Sequence, residues 1–285
     1  MQGTTMRRAG LALAVATALT ALAACTSPES SDRPGEEQRA SRGRSLTALR
    51  AAERATERAR SARVESTMTM GELMSMTADG ILAWGDGITG TMTIRYTGGT
   101  LADTLRGLGT TSMEARYLPD AYYARMGEEF AARAGGKRWI RYAYDDLRAL
   151  AGGSGAHLGD QMRRTTPNQS VRLLLACEDV RKAGEETVRG RTAAHYSGTV
   201  ATADVTDPAL KKRLTEAGVT AETVDIWIDE RNLLVKKVEK AEMTAGRMTQ
   251  TAHYGDYGAR ARAERPPLSD TADFEELVGK HAGTP

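Results

Sequence analysis

The chain has 285 residues, of which 40% are hydrophobic, 5% aromatic and 27% charged. That apolar share with little net charge excludes an intrinsically disordered chain. Its 8 Pro and 2 Cys exclude collagen-like and disulfide-scaffold classes. The length allows one large domain or two small ones, and 12 Met beside few aromatics describe a shape-adaptable core.

The first residues form a targeting segment. Arg7 and Arg8 make a basic start, and Leu11 to Ala24 is an uncharged apolar run. That run is too short for a stable helix across a bilayer core of about 30 Å. It ends Leu22-Ala23-Ala24-Cys25, small residues before a cut site with Leu at −3 and Cys at +1. This resembles a bacterial lipobox. The motif implies a signal peptide over 1–24, a diacylglyceryl group on the Cys25 thiol, and cleavage that leaves Cys25 as the new N-terminus. Ala9-Gly10 after the Arg pair argue against twin-Arg export. Two or more acyl chains, palmitate among them, hold a protein stably on a membrane without spanning it.

Loss of the signal removes two Arg and no acid, so basic and acidic residues balance at 37 each. A neutral balance gives no footprint for nucleic acid and no polybasic attraction to anionic lipid. With Cys25 lipidated, only Cys177 remains, and no intramolecular disulfide can form. Cys177 closes the apolar run from Val171, the setting of a buried structural thiol rather than a reactive one. Residues 25–44 read as a lipidated N-terminus and flexible linker, rich in Ser, Pro, Gly and charge. A single folded domain is expected over 45–285.

Helix signals are few. Ser45 caps a segment to about Arg60 with Leu46, Leu49, Ala52, Ala55 and Ala59 as a thin stripe. Asp145 or Asp146 starts a short turn to Leu150. Thr166-Pro167-Asn168-Gln169 has the form of a capping box ahead of Val171, Leu174 and Leu175. Asp207-Pro208 opens another helix that Gly218 stops, and a last one is expected near Asp270 to Val278.

The remainder alternates with period two, as strands do. Examples are Val64 to Met70, Thr91 to Tyr96, Met113 to Tyr117, Ala121 to Met126 and Lys137 to Ala143. Val224 to Ile228 meets Leu233 to Val238 across Asp229-Glu-Arg-Asn232, and Met248 to Tyr254 follows. About ten strands joined by tight turns, with no βαβ rhythm, describe a meandering antiparallel sheet in an α+β fold. Gly98 to Thr111 reads as a surface loop or as a flap over a cavity mouth.

Signals for enzyme chemistry are weak. His157, His195, His253 and His281 lie at no metal-ligand spacing. Gly152-Gly-Ser154-Gly-Ala156 lacks the last Gly of a nucleophile elbow, and Asp145-Asp146 fits a helix start. No phosphate-cradling loop is present. Neither catalytic residues, a cofactor nor a metal is expected.

The order of lipobox, polar linker, capped helix and strands resembles the LppX/LprG family of actinobacterial lipoproteins, which share the fold of the lipoprotein carrier LolA. The segments that carry the likeness are Val224-Asp-Ile-Trp-Ile-Asp229 with Leu233-Leu-Val-Lys-Lys-Val-Glu239, and Tyr254-Gly-Asp-Tyr257-Gly258 ahead of Pro266-Pro267. The resemblance implies a large curved antiparallel sheet, a LolA-like half-barrel, with a few helices covering its concave face. It implies a membrane-anchored lipoprotein at the outer face of the cytoplasmic membrane that binds or carries a lipid or lipoglycan. The cavity-facing set would be Met68, Met70, Trp84, Met92, Ile94, Tyr117, Trp139, Ile226 and Val238, with Leu174 and Leu175 from a helical lid. The same residues would serve equally as plain core, and a register slip would turn a strand's set to the other face. The alternative is a non-enzymatic sensor or scaffold, similar to RseB-type stress sensors, that acts through a protein-binding surface on a membrane-protein partner.

Overall fold

The computed structural model describes residues 34–107, 109–145, 166–244 and 246–277. Helix α1 (Pro34–Ala59) leads into β1 (Ser61–Met70), β2 (Met74–Ala83) and β3 (Thr89–Gly98). Helix α2 (Thr100–Gly107) joins β3 to β4 (Ser112–Tyr117) and β5 (Ala121–Arg125), and α3 (Glu128–Arg133) leads to β6 (Trp139–Ala143). Helix α4 (Asn168–Ala176) precedes β7 (Arg181–Val188) and β8 (Arg191–Ala201). Helix α5 (Pro208–Glu216) precedes β9 (Val219–Asp229), β10 (Leu234–Met243), β11 (Gly246–Gly255) and the short β12 (Thr271–Asp273). The strands form one 12-stranded sheet in the order β12-β6-β5-β4-β3-β2-β1-β11-β10-β9-β8-β7. Pairing is antiparallel except between β12 and β6.

Strand ends group in two rows. One row holds the β1–β2 and β10–β11 turns and the α2, α3 and α5 connections. The other holds the β2–β3, β4–β5 and β9–β10 turns and the C-terminal end of α1, where the Trp84 indole donates to the Thr56 carbonyl at 3.1 Å. Helices α1 and α4 lie on one face, called inner below. Ser45, Leu49, Ala52 and Thr56 recur along α1 and are buried, so small residues let the helix sit close. Arg172 of α4 binds Glu53 of α1 at 2.7 Å, and Leu174 and Cys177 rest on Gly198 of β8. A Cβ at Gly198 would lie 3.0 Å from both, so its bare backbone sets how closely α4 approaches.

Several expectations need correction. Helix α1 begins at Pro34 instead of Ser45, so residues 34–44 are helix and not linker. Glu36 and Glu37 in its first turn and Arg58 in its last complement the helix dipole, which the Ser, Gly and Arg content of the segment obscures. Helix α4 has Pro167 as its N-cap, in helical conformation and with no side-chain cap bond, so Thr166 does not close a capping box. The expected C-terminal helix is split. A 3-10 turn (Leu268–Asp270) and β12 come first, and a helical turn occupies 274–277. The Gly98–Thr111 segment contains α2. Asp207 does cap α5, accepting from the Leu210 amide at 2.7 Å. The turn expected from Asp145 and the Gly152–Ala156 loop lie outside the described residues, apart from Asp145 itself.

Gly43 sits inside α1, and a Cβ added there would meet no atom within 4 Å. Gly43→Ala should therefore raise unfolding free energy by about 0.5–1 kcal/mol through helix propensity. A denaturant midpoint unchanged by this substitution would return residues 34–44 to a linker.

Candidate functional site

The inner face of the sheet carries the candidate site. Register pairs place Met248, Met70 and Met74 in one row across β11, β1 and β2. The next row runs Glu239, Gln250, Met68, Met76 and Tyr96, and Ile94 pairs with Met113 on β4. Val64, Met92, Ile94 and Ile226 are buried, while Met68, Met70, Met76, Tyr96 and Met113 are half-buried. The face is thus deepest under α1 and α4 and opens toward the α2–α3 row of strand ends. Methionine side chains are unbranched and polarizable, so this half can take up irregular apolar shapes.

An aromatic ladder borders the methionines. Tyr117 meets Tyr122 edge-on at 5.1 Å, Tyr122 lies 5.7 Å from Tyr142, and Tyr142 lies 4.7 Å from Phe274. The Tyr122 hydroxyl reaches the Met113 sulfur at 4.0 Å. Burial, then the neighbouring Tyr96, pushes the Tyr117 hydroxyl up to about 12. Burial does the same to Tyr142, and Tyr122 is raised well above its usual value. The hydroxyls are neutral hydrogen-bonding groups at any physiological pH.

Beneath α4 the inner face is polar. Lys237 is 7% exposed, and its ammonium binds Glu239 Oε2 at 2.8 Å. Ser170 of α4 donates to Glu239 Oε1 at 2.5 Å. Burial pushes the Lys237 ammonium down, but Glu239 outweighs it and the pKa ends above its ordinary value. Asn168, on the first turn of α4, is 2% exposed, and its Oδ1 has no hydrogen-bond partner among the described residues.

The expected cavity set is divided by the structure. Met68, Met70, Met92, Ile94, Tyr117 and Ile226 share the inner face, and Leu174 and Leu175 of α4 belong to the same core as Met92, Ile94 and Ile226. Trp139 does not. It lies on the outer face with Ala121 and Tyr123, under the Arg116 guanidinium at 4.4 Å. Residues after β11 strap that face. The Arg262 and Glu264 carbonyls accept from Thr91 and Arg116, and Arg265 reaches Tyr123 and Asp120. Trp139 shares its phase with Arg141, whereas Ile140 and Tyr142 form the apolar phase, so strict alternation turns Ile140 inward and Trp139 out. Val238 also lies outside, against Trp227, Val188 and Val235. A bulge between Leu234 and Lys236 shifts the strand by one residue, turning Val238 out and Lys237 and Glu239 in. Trp84 is buried at the far row of strand ends, edge-on to Tyr257 at 6.4 Å and beside an open cleft of about 310 Å³.

Residues not singled out from sequence include Met76, Met113, Tyr122, Tyr142, Ser170, Lys237 and Glu239. The tyrosines and methionines were within reach of strict alternation. The ion pair required knowledge of the bulge. Cys177 is buried and its thiol donates to the Leu173 carbonyl at 3.3 Å; burial, then Asp179 and Glu222, pushes it up to about 12. Among the described residues no group of three or more His, Cys, Asp or Glu could hold a metal ion. Nor is any described helix long and apolar enough to cross a membrane.

A large open sheet, antiparallel but for one short edge strand, with helices on one face and an adaptable apolar row between them, defines the structural class. The chain belongs to the family of the Streptomyces coelicolor protein named "Putative lipoprotein SCO4650", to which it is 55% identical, with 98% of each chain covered. It is also 47% identical to an uncharacterized 31.2 kDa protein of Streptomyces griseus encoded between rplA and rplJ, covering 84% of this chain and 82% of that one. No family model matches. Among solved structures it is similar to LprF of Mycobacterium bovis, at 15% identity and TM-score 0.48, covering 79% of this chain and 97% of that one. It is similar also to the lipoprotein LppX of Mycobacterium tuberculosis, at 12% identity and TM-score 0.49, covering 78% and 99%.

Two outcomes follow from the buried groups. Glu239→Leu strands the Lys237 charge and should destabilise by about 3–5 kcal/mol, whereas Lys237→Met with Glu239→Leu should recover most of that loss. Equal losses in urea titrations of the single and double variants would deny the coupling. Cys177 should resist maleimide at neutral pH in the folded protein and react fully once denatured, because almost no thiolate exists below its raised pKa. Rapid labelling of the native chain would contradict its burial.

Proposed function

We propose that this chain is a lipoprotein held on the extracytoplasmic face of the cytoplasmic membrane through acylated Cys25, and that its inner face binds or carries an amphipathic lipid or lipoglycan. The observation that carries this reading is the row of half-buried Met68, Met70, Met76 and Met113 bordered by neutral tyrosines. Thioethers adapt to acyl chains, and tyrosine hydroxyls offer hydrogen bonds near a polar head without any charge. The Cys25 lipobox and the name of the Streptomyces coelicolor relative support the anchor. Binding needs no catalytic residue. At about 0.8 kcal/mol per buried methylene, a chain of roughly sixteen carbons gains on the order of 10 kcal/mol before ordering costs.

Native mass spectrometry of the processed, acylated protein tests this. A stoichiometric lipid adduct beyond the Cys25 modification is expected. Met68→Asp with Met76→Asp, a cross-strand pair on the inner face, should reduce its occupancy at least about tenfold, equivalent to roughly 1.4 kcal/mol or more. Trp139→Phe, on the outer face, should leave occupancy unchanged. A clean mass after incubation with the organism's membrane extract would overturn lipid binding and favour a sensor or scaffold. Full occupancy in the double variant would move the ligand off this face.

A further inference from the structure

We propose that the row of strand ends carrying the β1–β2 turn and helices α2 and α3 is the surface this protein lays against the lipid bilayer. The inference rests on the anchored reading above and adds an orientation to it.

Two large hydrophobic side chains stand exposed among the described residues, Leu73 at 51% and Leu268 at 78%. Leu73 is at the tip of the β1–β2 turn, where its carbonyl accepts from the Leu101 amide of α2. Leu268 is distant in sequence but lies at the same row. Its carbonyl accepts from Lys137 just before β6, whose first residue, Trp139, pairs with Arg125 at the end of β5. Arg125 pairs with Glu114 near the start of β4, which faces the end of β3, and β3 in turn meets the start of β2. Both leucines therefore project from one row, although no contact between them requires it. Isolated surface leucines are ordinary; a shared end of the sheet is what calls for a partner.

The course of α1 indicates which partner. Its C-terminal end is fixed at the opposite row by the Thr56–Trp84 bond, and Arg42 binds the Cys177 carbonyl near β8 at 3.3 Å. Close by, Cys177 packs on Gly198 and Asp179 accepts from the Thr199 amide, toward the end of β8 that lies in the leucine row. The helix thus runs back from the Trp84 row toward the β7 edge and the leucine row, and residues 35–44 along it are exposed. Cys25 lies nine residues before Pro34, so extended chain reaches at most about 32 Å. A tether of that length, joined to the end of α1 nearest this row, keeps the row within reach of the membrane. The half-buried methionines Met70, Met74 and Met248 open at the same row, so a lipid could pass between bilayer and inner face with little exposure to water.

The test uses the full-length, host-processed chain in vesicles of phosphatidylethanolamine and phosphatidylglycerol. Single cysteines replace Leu73, Leu268 or Asp86, the last an exposed residue of the opposite row. Each carries an environment-sensitive fluorophore; Cys177, buried with its thiol pushed up to about 12, is spared. Vesicles containing nitroxide-labelled lipid should quench the probes at 73 and 268 several-fold more than the probe at 86. Quenching at 86 equal to or above the others, or none at any site in a chain that floats with the vesicles, would overturn the orientation and leave the anchor standing. A chain that neither floats nor carries an acyl mass on Cys25 would overturn the anchor and this inference with it.

Discussion

The structure depends on covering one apolar face of a 12-stranded sheet that does not close on itself. A closed barrel buries its interior with its own strands; an open sheet must recruit other elements. Here α1 and α4 supply the cover, with α4 lying over β8 and β9 and α1 passing beside β7. Their cover thins toward the α2–α3 ends of β1 to β4, where Met68, Met70, Met76, Tyr96 and Met113 are half-buried. There the apolar face is finished by side chains that fill space without rigid shape, chiefly methionine, and by tyrosines that tolerate a wet edge. The edges are managed separately. The β7 edge is exposed and bears Arg181, Lys182, Glu185 and Glu186, charges that discourage pairing with another sheet. The β12 edge is short.

The outer face is closed by different means. The segment following β11 crosses β3, β4 and β5 and is held by backbone carbonyls that accept from Thr91 and Arg116. Cation–aromatic contacts reinforce it, with Arg116 over Trp139 and Arg265 near Tyr123. Farther along, Trp227 lies between the His195 ring, stacked at 4.3 Å, and the Lys236 ammonium at 3.9 Å. Both tryptophans on this face work as flat apolar bodies under polar cover. A long aromatic in an alternating strand is thus poor guidance to a binding face, since either face of this sheet can use one.

Much of the sheet was legible from alternation because one-sided burial imposes period two on nearly every strand. Met68, Met70, Met92, Ile94 and Tyr117 fall on one face for that reason alone. The failures have local causes. The bulge at Leu234/Lys236 adds a residue to one strand and inverts everything after it, and neither neighbour is a Gly or Asn that would mark it. At Trp139 the bulk of one ring misled: Arg141 shares its face, while Ile140 and Tyr142 form the apolar phase that turns inward. The start of α1 was hidden because its first turns bury nothing, and without an apolar stripe a helix has no amphipathic signature. Thr166 has the composition of a cap, yet Pro167 already adopts helical angles and takes the capping position.

The buried Lys237–Glu239 pair completes the division of the inner face. Ion pairs in such positions add little stability over an apolar replacement, so their value lies in direction. The Ser170 hydroxyl donates to one oxygen of Glu239 while Lys237 holds the other, and that arrangement fixes the start of α4 over β10. The far end of α4 is fixed by the absence of a side chain at Gly198, which admits Leu174 and Cys177. A hydrogen bond at one end and a close approach at the other leave α4 little freedom to slide. The methionine rows on β1, β2 and β11 lie beyond it, on strands joined by short turns. One half of the inner face is therefore held in place by directional contacts, and the other is lined largely by unbranched side chains that fill space without a fixed shape.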